Sequence, residues 1–298
     1  MLEFFPEGDL IYTEENEARL GDLQGLLAAQ REEAVAEAVA LGCTRDHALQ
    51  FDLSGILGIM PREEVALTEE GVALRDIAVI TRVGKPCSFV IDRVETGATR
   101  PIAYLSRRKA QEKCLTEYLD TLETGDILPA KVTHFEPFGA FCDIGCGVIS
   151  LLSIDAISVS RISHPSDRFR RGEKILCAVK SRDDRLLGRR GRISLTHKEL
   201  LGTWSENAAR FQVGETVVGM IRSVESYGIF IELAPNLAGL AEWREGVTVG
   251  DACSVYIKNI IPEKKKVKLV LIDTFRPSLR PKTEYFITEG NVRDFCYG

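Results

Sequence analysis

Phe138 and Phe141 flank Gly139-Ala140 in the stretch PFGAFCDIG, and Tyr227 and Phe230 flank Gly228-Ile229 in SYGIFIEL. Rings of this kind offer flat π faces on which planar bases stack, at about 1–3 kcal/mol per base and with little sequence preference. The pairs stand 89 positions apart (227 − 138 = 89; 230 − 141 = 89), and Gly125 and Gly214 keep the same offset. That spacing announces an internal repeat of domain size. Residues three apart in a regular strand face opposite sides. Gly139 and Gly228 therefore predict a bulge or bend that re-aims the first ring of each pair. The competing expectation is that one ring of each pair, Phe141 or Phe230, belongs to a core.

The elements around the rings are short alternating runs. DILPAKVTHF, FGAFCDI, GVISLL, KILCAVKS and GRISLT read as five strands separated by glycine-containing turns, and ETVVGMIRSV, YGIFIEL, GLAEW, ACSVYIKNI and VKLVLID repeat them. Five strands in about 75 residues predict a small closed barrel. The offset grows to 92 at Gly147 and Gly239, then falls to 78 at Gly172 and Gly250 and at Lys180 and Lys258. Changes of this kind are expected in loops. Helical spacing of Leu201, Trp204, Ala208 and Phe211, and of Cys114, Leu115, Tyr118 and Leu122, predicts helical joints before the third and second units. A further helix is predicted from Leu20, Leu23 and Leu27 into the Ala-rich run AVAEAV. HALQFDLSGILGIM, IAVITRV, PCSFVID and PIAYLSRR have strand character in the same order, with His47 and Gln50 where the other copies carry rings. The reading is mainly β: three tandem five-stranded barrels, the first degenerate, over residues 1–123, 124–210 and 211–298, joined by short helices. The tail, FRPSLRPKTEYFITEGNVRDFCYG, is expected to form a hairpin around Glu289-Gly290-Asn291 and to pack on the last barrel.

The formal charge of −6 divides unevenly. Residues 1–123 carry 23 acids and 13 bases (−10), residues 124–210 carry 10 and 14 (+4), and residues 211–298 carry 11 of each. The middle third is where a polyanion would go. Lys131, Lys180, Arg182, Arg185, Arg189, Arg190 and Arg192 surround its rings in sequence, and Arg222, Lys258, Lys264, Lys265, Lys266 and Lys268 hold matching places in the third unit. Arg161, His164, Arg168, Arg170 and Arg171 would extend such a groove. Cations tracking phosphates beside aromatic platforms are a single-strand-binding design. Eight scattered cysteines without a CxxC pair read as small buried residues, so no structural metal is expected.

The chain resembles the RNA-binding repeat of the ribosomal protein S-one family. The residues carrying the resemblance are FGAFCDIG with GVIS, KILCAVKSRDD and GRISLT, then YGIFIEL with GLAE, SVYIKNI and VKLVLID. It is strong over residues 124 to about 273 and weak over about 34 to 108. The whole is similar to the short three-repeat form of that family found in some Gram-positive bacteria. The resemblance implies OB-fold barrels that bind single-stranded RNA, messenger RNA in particular, on the small ribosomal subunit. Binding copies often carry a histidine on the third strand; the motif GVIS puts Ser150 there, and GLAE puts Glu242 there. It also implies an anchoring role for the leading repeat through ribosomal proteins, which suits the acidic first third.

No GxxxxGK[ST], GxSxG or HExxH motif occurs, and Asp183-Asp184 stands in a basic strand end, so no enzyme and no cofactor are expected. The acidic start, MLEFFPEGDLIYTEEN, and the lack of a long apolar run predict a cytoplasmic chain with no membrane partner. Two other classes stay open: an RNA-processing or regulatory subunit off the ribosome, and a protein-interaction module that has lost RNA binding.

Overall fold

The computed structural model describes residues 4–68, 72–97, 100–183, 192–276 and 283–297. The chain opens with an irregular segment and two helices, α1 (Glu14–Leu20) and α2 (Leu23–Glu32), which Thr13 and Asp22 start by accepting from backbone N–H groups inside the first turn. The Ala-rich run expected to prolong the helix is instead the strand β1 (Ala36–Val39), pulled into a sheet by its partner strand rather than by propensity. After it come β2 (Gly42–Cys43), β3 (Leu49–Leu53) and β4 (Ile56–Met60). The next run, IAVITRV, is the short helix α3 (Asp76–Ile80) rather than a strand, with only Val79 buried. Then follow β5 (Pro86–Glu95), β6 (Ile102–Ser106) and the joint helix α4 (Arg107–Glu117).

These strands pair in the order β1-β5-β6-β4-β3-β2. β1 and β2 are two pieces of one bent first strand: the first pairs β5, the second pairs β3, and Ala40 and Leu41 between them donate to Lys85 and Gln50 carbonyls. The first third is thus the same five-stranded design with its first strand broken.

The middle unit contains β7 (Ile127–Glu136), β8 (Gly139–Asp143), β9 (Ile149–Ser153), β10 (Lys174–Asp183) and β11 (Arg192–Thr196), closed in the order β10-β11-β9-β8-β7. A helical joint that includes α5 (Trp204–Ala208) leads to β12 (Thr216–Glu225), β13 (Gly228–Ala234), β14 (Leu237–Ala241), β15 (Ala252–Ile261) and β16 (Lys266–Phe275), a second closed barrel. Alternating burial along β7 and β12 sends Leu128, Ala130 and Val132, or Gly219 and Ile221, inward.

Buried carboxylates dock each barrel onto what precedes it. Asp143 and Glu232 end or nearly end the second strands of the two barrels and keep the 89-residue offset (232 − 143 = 89). Asp143 accepts from Gly145 and Gly147 in its own loop and, at 2.8 Å, from the Glu7 N–H of the N-terminal segment. Glu7 in turn accepts from Arg107 of α4 and Arg82. Burial alone would raise the Glu7 carboxyl, but those two guanidiniums hold it below the ordinary carboxylate value. Asp143, buried beside the Glu7 charge, is pushed up to about 6. Glu232 takes two bonds from Arg168, at 2.8 and 2.9 Å, reaching over from the middle unit's long loop, and two from Arg222 of β12. Here too burial works upward, and the Arg168 and Arg222 contacts outweigh it and hold the carboxyl low.

Among its described residues the tail forms no hairpin, and they do not lie mainly on the last barrel. Residues 283–297 return to the middle barrel as a strap, where Tyr285, Ile287, Val292 and Phe295 pack with Ile127, Leu176 and Ala178. The Tyr285 hydroxyl accepts from the Leu176 N–H and faces His197, whose imidazole burial pushes down to about 4. Only at Tyr297 does the strap reach the third core. The reason is exposed apolar surface: the outward face of β7 and β10 is aliphatic and needs cover.

Candidate nucleic-acid interface

The rings meet as their spacing suggested, by a different route. β8 begins at Gly139 and β13 at Gly228, so Phe138 and Tyr227 lie in the turns before the strands and escape strand alternation. The bulges fall on the opposite strands, between Val132 and His134 in β7 and between Ile221 and Ser223 in β12. The glycines serve close approach instead: a Cβ on Gly139 would stand 2.5 Å from the Leu152 carbonyl oxygen, and one on Gly228 2.6 Å from that of Ala241.

The two pairs have one geometry. Ring centroids of Phe138 and Phe141 are 6.1 Å apart at 82°, and those of Tyr227 and Phe230 are 6.1 Å apart at 87°. Phe138 is 55% and Tyr227 68% exposed, while Phe141 and Phe230 are half-buried and outside the core clusters. Edge-to-face packing of this kind fixes the rings while leaving faces open.

Strand register extends each platform into a row across the sheet. In the middle barrel the row is His134, Phe141, Leu151, Ser194 and Ser181. In the third it is Ser223, Phe230, Leu240, Lys268 and Asn259. In the first it is Gly42, Gln50, Ile59, Tyr104 and Arg93, and the Arg93 guanidinium lies 3.8 Å from the centre of the Tyr104 ring. The same rows correct one alignment. Ser150 matches Gly239, and Ser153 matches Glu242, because Phe141 opposes Leu151 as Phe230 opposes Leu240. The Ser150 hydroxyl is buried and donates to the Ile193 carbonyl, stitching β9 to β11.

The cations sort into two groups. Lys268 sits in the third barrel's row, Lys180 and Lys258 sit at the bulges beside the rows, and Arg192 is exposed at the start of β11. Lys180 is half-exposed, 3.9 Å from the Asp155 carboxylate. Four others are engaged inside the protein. Lys131 donates to the Glu7 carbonyl at 2.7 Å, and Arg182 donates to the carbonyls of Leu119, Asp120 and Leu122. Arg222 is spent on Glu232, as is Arg168 from the long loop. Asp184, Arg185, Arg189 and Arg190 lie outside the described residues. The sequence reading missed His134, exposed and stacked on Phe141 at 4.4 Å and 4°. Its position opposite Phe141 follows from the β7 bulge, which the sequence does not mark.

Among the described residues no cluster of three or more His, Cys, Asp or Glu could hold a metal ion, and no helix is long and apolar enough to cross a membrane. Comparison with known proteins agrees with the barrel reading. The S1 RNA binding domain family matches residues 121–198. A small ribosomal subunit protein bS1 from Leuconostoc lactis is 26% identical over 74% of this chain and 52% of that protein. The bS1 homolog of Bacillus subtilis is 32% identical over 53% of this chain and 41% of that protein. A 4-hydroxy-3-methylbut-2-enyl diphosphate reductase from Clostridium acetobutylicum is 28% identical over 63% of this chain but only 31% of that enzyme. The chain thus spans about half the length, or less, of the relatives it matches. Residues 121–198 therefore match the S1 RNA binding domain family, and the chain around them is similar to the bS1 proteins of the small ribosomal subunit.

Proposed function

We propose that this chain binds single-stranded RNA without catalysing a reaction, and that it holds messenger RNA at the small ribosomal subunit in the cytoplasm. The observation carrying the reading is the duplicated ring platform, the same 6.1 Å edge-to-face pair on two barrels, each with an exposed leading ring. Stacking on such rings needs unpaired bases, and Lys180, Arg192, Lys258 and Lys268 supply exposed positive charge near them. The first barrel serves as the anchor to ribosomal proteins: it lacks the ring pair, and its third of the chain is acidic. The similarity to bS1 proteins supports the ribosomal setting.

Fluorescence anisotropy with a short unstructured RNA across a salt series tests the reading. Binding should weaken as salt rises, favour the single strand over a matched duplex, and fall in Phe138→Ala/Phe141→Ala and Tyr227→Ala/Phe230→Ala. If both doubles bind as wild type does, the rings are not the platform. Co-sedimentation with small subunits, lost on deleting the first barrel's contribution through surface substitutions there, tests the anchor.

A further inference from the structure

We infer that His134 is a third base-stacking ring, which makes the middle barrel's platform one nucleotide longer than the third barrel's. The inference rests on the single-strand-binding reading above. His134 is stacked on Phe141, with centroids 4.4 Å apart and planes within 4° of parallel, and Phe138 stands edge-on to Phe141. The three rings form one assembly: one imidazole face is against Phe141, and the residue is exposed. An exposed aromatic heterocycle already in a parallel stack is the natural place for the next base of a strand.

The ring is held in place before any ligand arrives. The bulge at Thr133 sets His134 directly across from Phe141. The Thr133 hydroxyl donates its proton to the Phe141 carbonyl at 2.9 Å and lies 3.1 Å from His134 Nδ1. A hydroxyl has one proton to give, so its oxygen accepts from Nδ1–H, and the imidazole is tied at that edge. Fixing the ring in advance removes part of the ordering cost of binding. The other two rows carry no ring at this place: Ser223 stands there in the third barrel and Gly42 in the first.

Full-length protein titrated with fluorescein-labelled oligouridine and oligoadenosine tests this, with thermal unfolding as the control for structure. His134→Ala should weaken both RNAs roughly 5- to 150-fold without moving the unfolding midpoint, and His134→Phe should restore most of the loss. Ser223→His should tighten binding by a smaller factor. Wild-type affinity in His134→Ala, alongside weakened binding in Phe138→Ala/Phe141→Ala, would overturn the inference and leave the platform reading intact. Rescue by His134→Lys but not His134→Phe would make the residue a phosphate contact and overturn it too. If the wild type binds neither RNA, the platform reading falls and the inference with it.

Discussion

Replacing Glu232 with glutamine keeps the side chain's shape and removes the charge that joins the second and third barrels. Its carboxylate is 7% exposed, and it faces Arg168, also 7% exposed, and Arg222, 12% exposed. Four hydrogen bonds of 2.8 to 3.0 Å converge on its two oxygens. A glutamine can accept at one oxygen only, and its amide would point donors at donors. Two guanidiniums would then be buried together without an anion, a situation that costs about 3–5 kcal/mol when one partner of a buried ion pair is removed. Urea unfolding followed by tryptophan fluorescence reads this well, since Trp204 packs in the third barrel's core and Trp243 lies just after β14. The loss should depend on pH with a definite sign. The folded carboxyl is held below its ordinary value, so its contribution is full above that value and disappears as pH falls through the folded one. The gap between wild type and Glu232→Gln should therefore narrow on acidification. A gap under about 0.5 kcal/mol at pH 7, or one that stays constant into acid, would refute the reasoning.

Other consequences follow from the same contacts. Gly125 has φ +93°, and a Cβ there would stand 2.3 Å from Asn291 Oδ1 and 2.5 Å from the Arg293 nitrogen, so Gly125→Ala should loosen the strap and speed hydrogen exchange of its amides. Tyr285→Phe leaves the Leu176 N–H without its acceptor and should cost about 1–3 kcal/mol in thermal unfolding. Burial pushes the Glu37 carboxyl up to about 7, against the pull of its bonds from Ser88, Leu10 and Gly8. Stability from that site is full below the ordinary carboxylate value and is lost as pH rises through about 7. Glu37→Gln should flatten the stability profile over that window by up to about 3 kcal/mol, measured by denaturation at a series of pH values.

The repeat and its rings were legible because strand alternation, turn glycines and ring types are written locally in FGAFCDI and YGIFIEL. What was not legible depends on partners far away in the chain. Nothing in the type of Arg182 or Arg222 says that one ties down the linker at residues 119–122 and the other neutralises Glu232. GVIS and GLAE look alike, yet register alone decides that Ser153, not Ser150, lies where Glu242 does. Ala36–Val39 carries helix-forming residues and becomes a strand because β5 offers it a ladder. His134 escaped notice because the bulge that turns it toward Phe141 leaves no mark in composition. Asp143 and Glu232 were in view within the repeat itself, but their shared role as docking posts needed the preceding units to be in place.

The returning strap bears on how the protein is made. Tyr285 is added 109 residues after the Leu176 whose N–H it accepts from (285 − 176 = 109), an interval of about 5–20 s at ordinary rates of synthesis. Through that interval the middle barrel has its strands but not its cover, and Ile127, Leu176 and Ala178 face water while the whole third barrel is being produced. The order of completion therefore differs from the order of appearance: the third barrel can close first, and the middle one is sealed last. A chain that stalls or is cut before Tyr285 would keep the strands of all three barrels and an open aliphatic face on the middle one, a surface for chaperones or for its own kind.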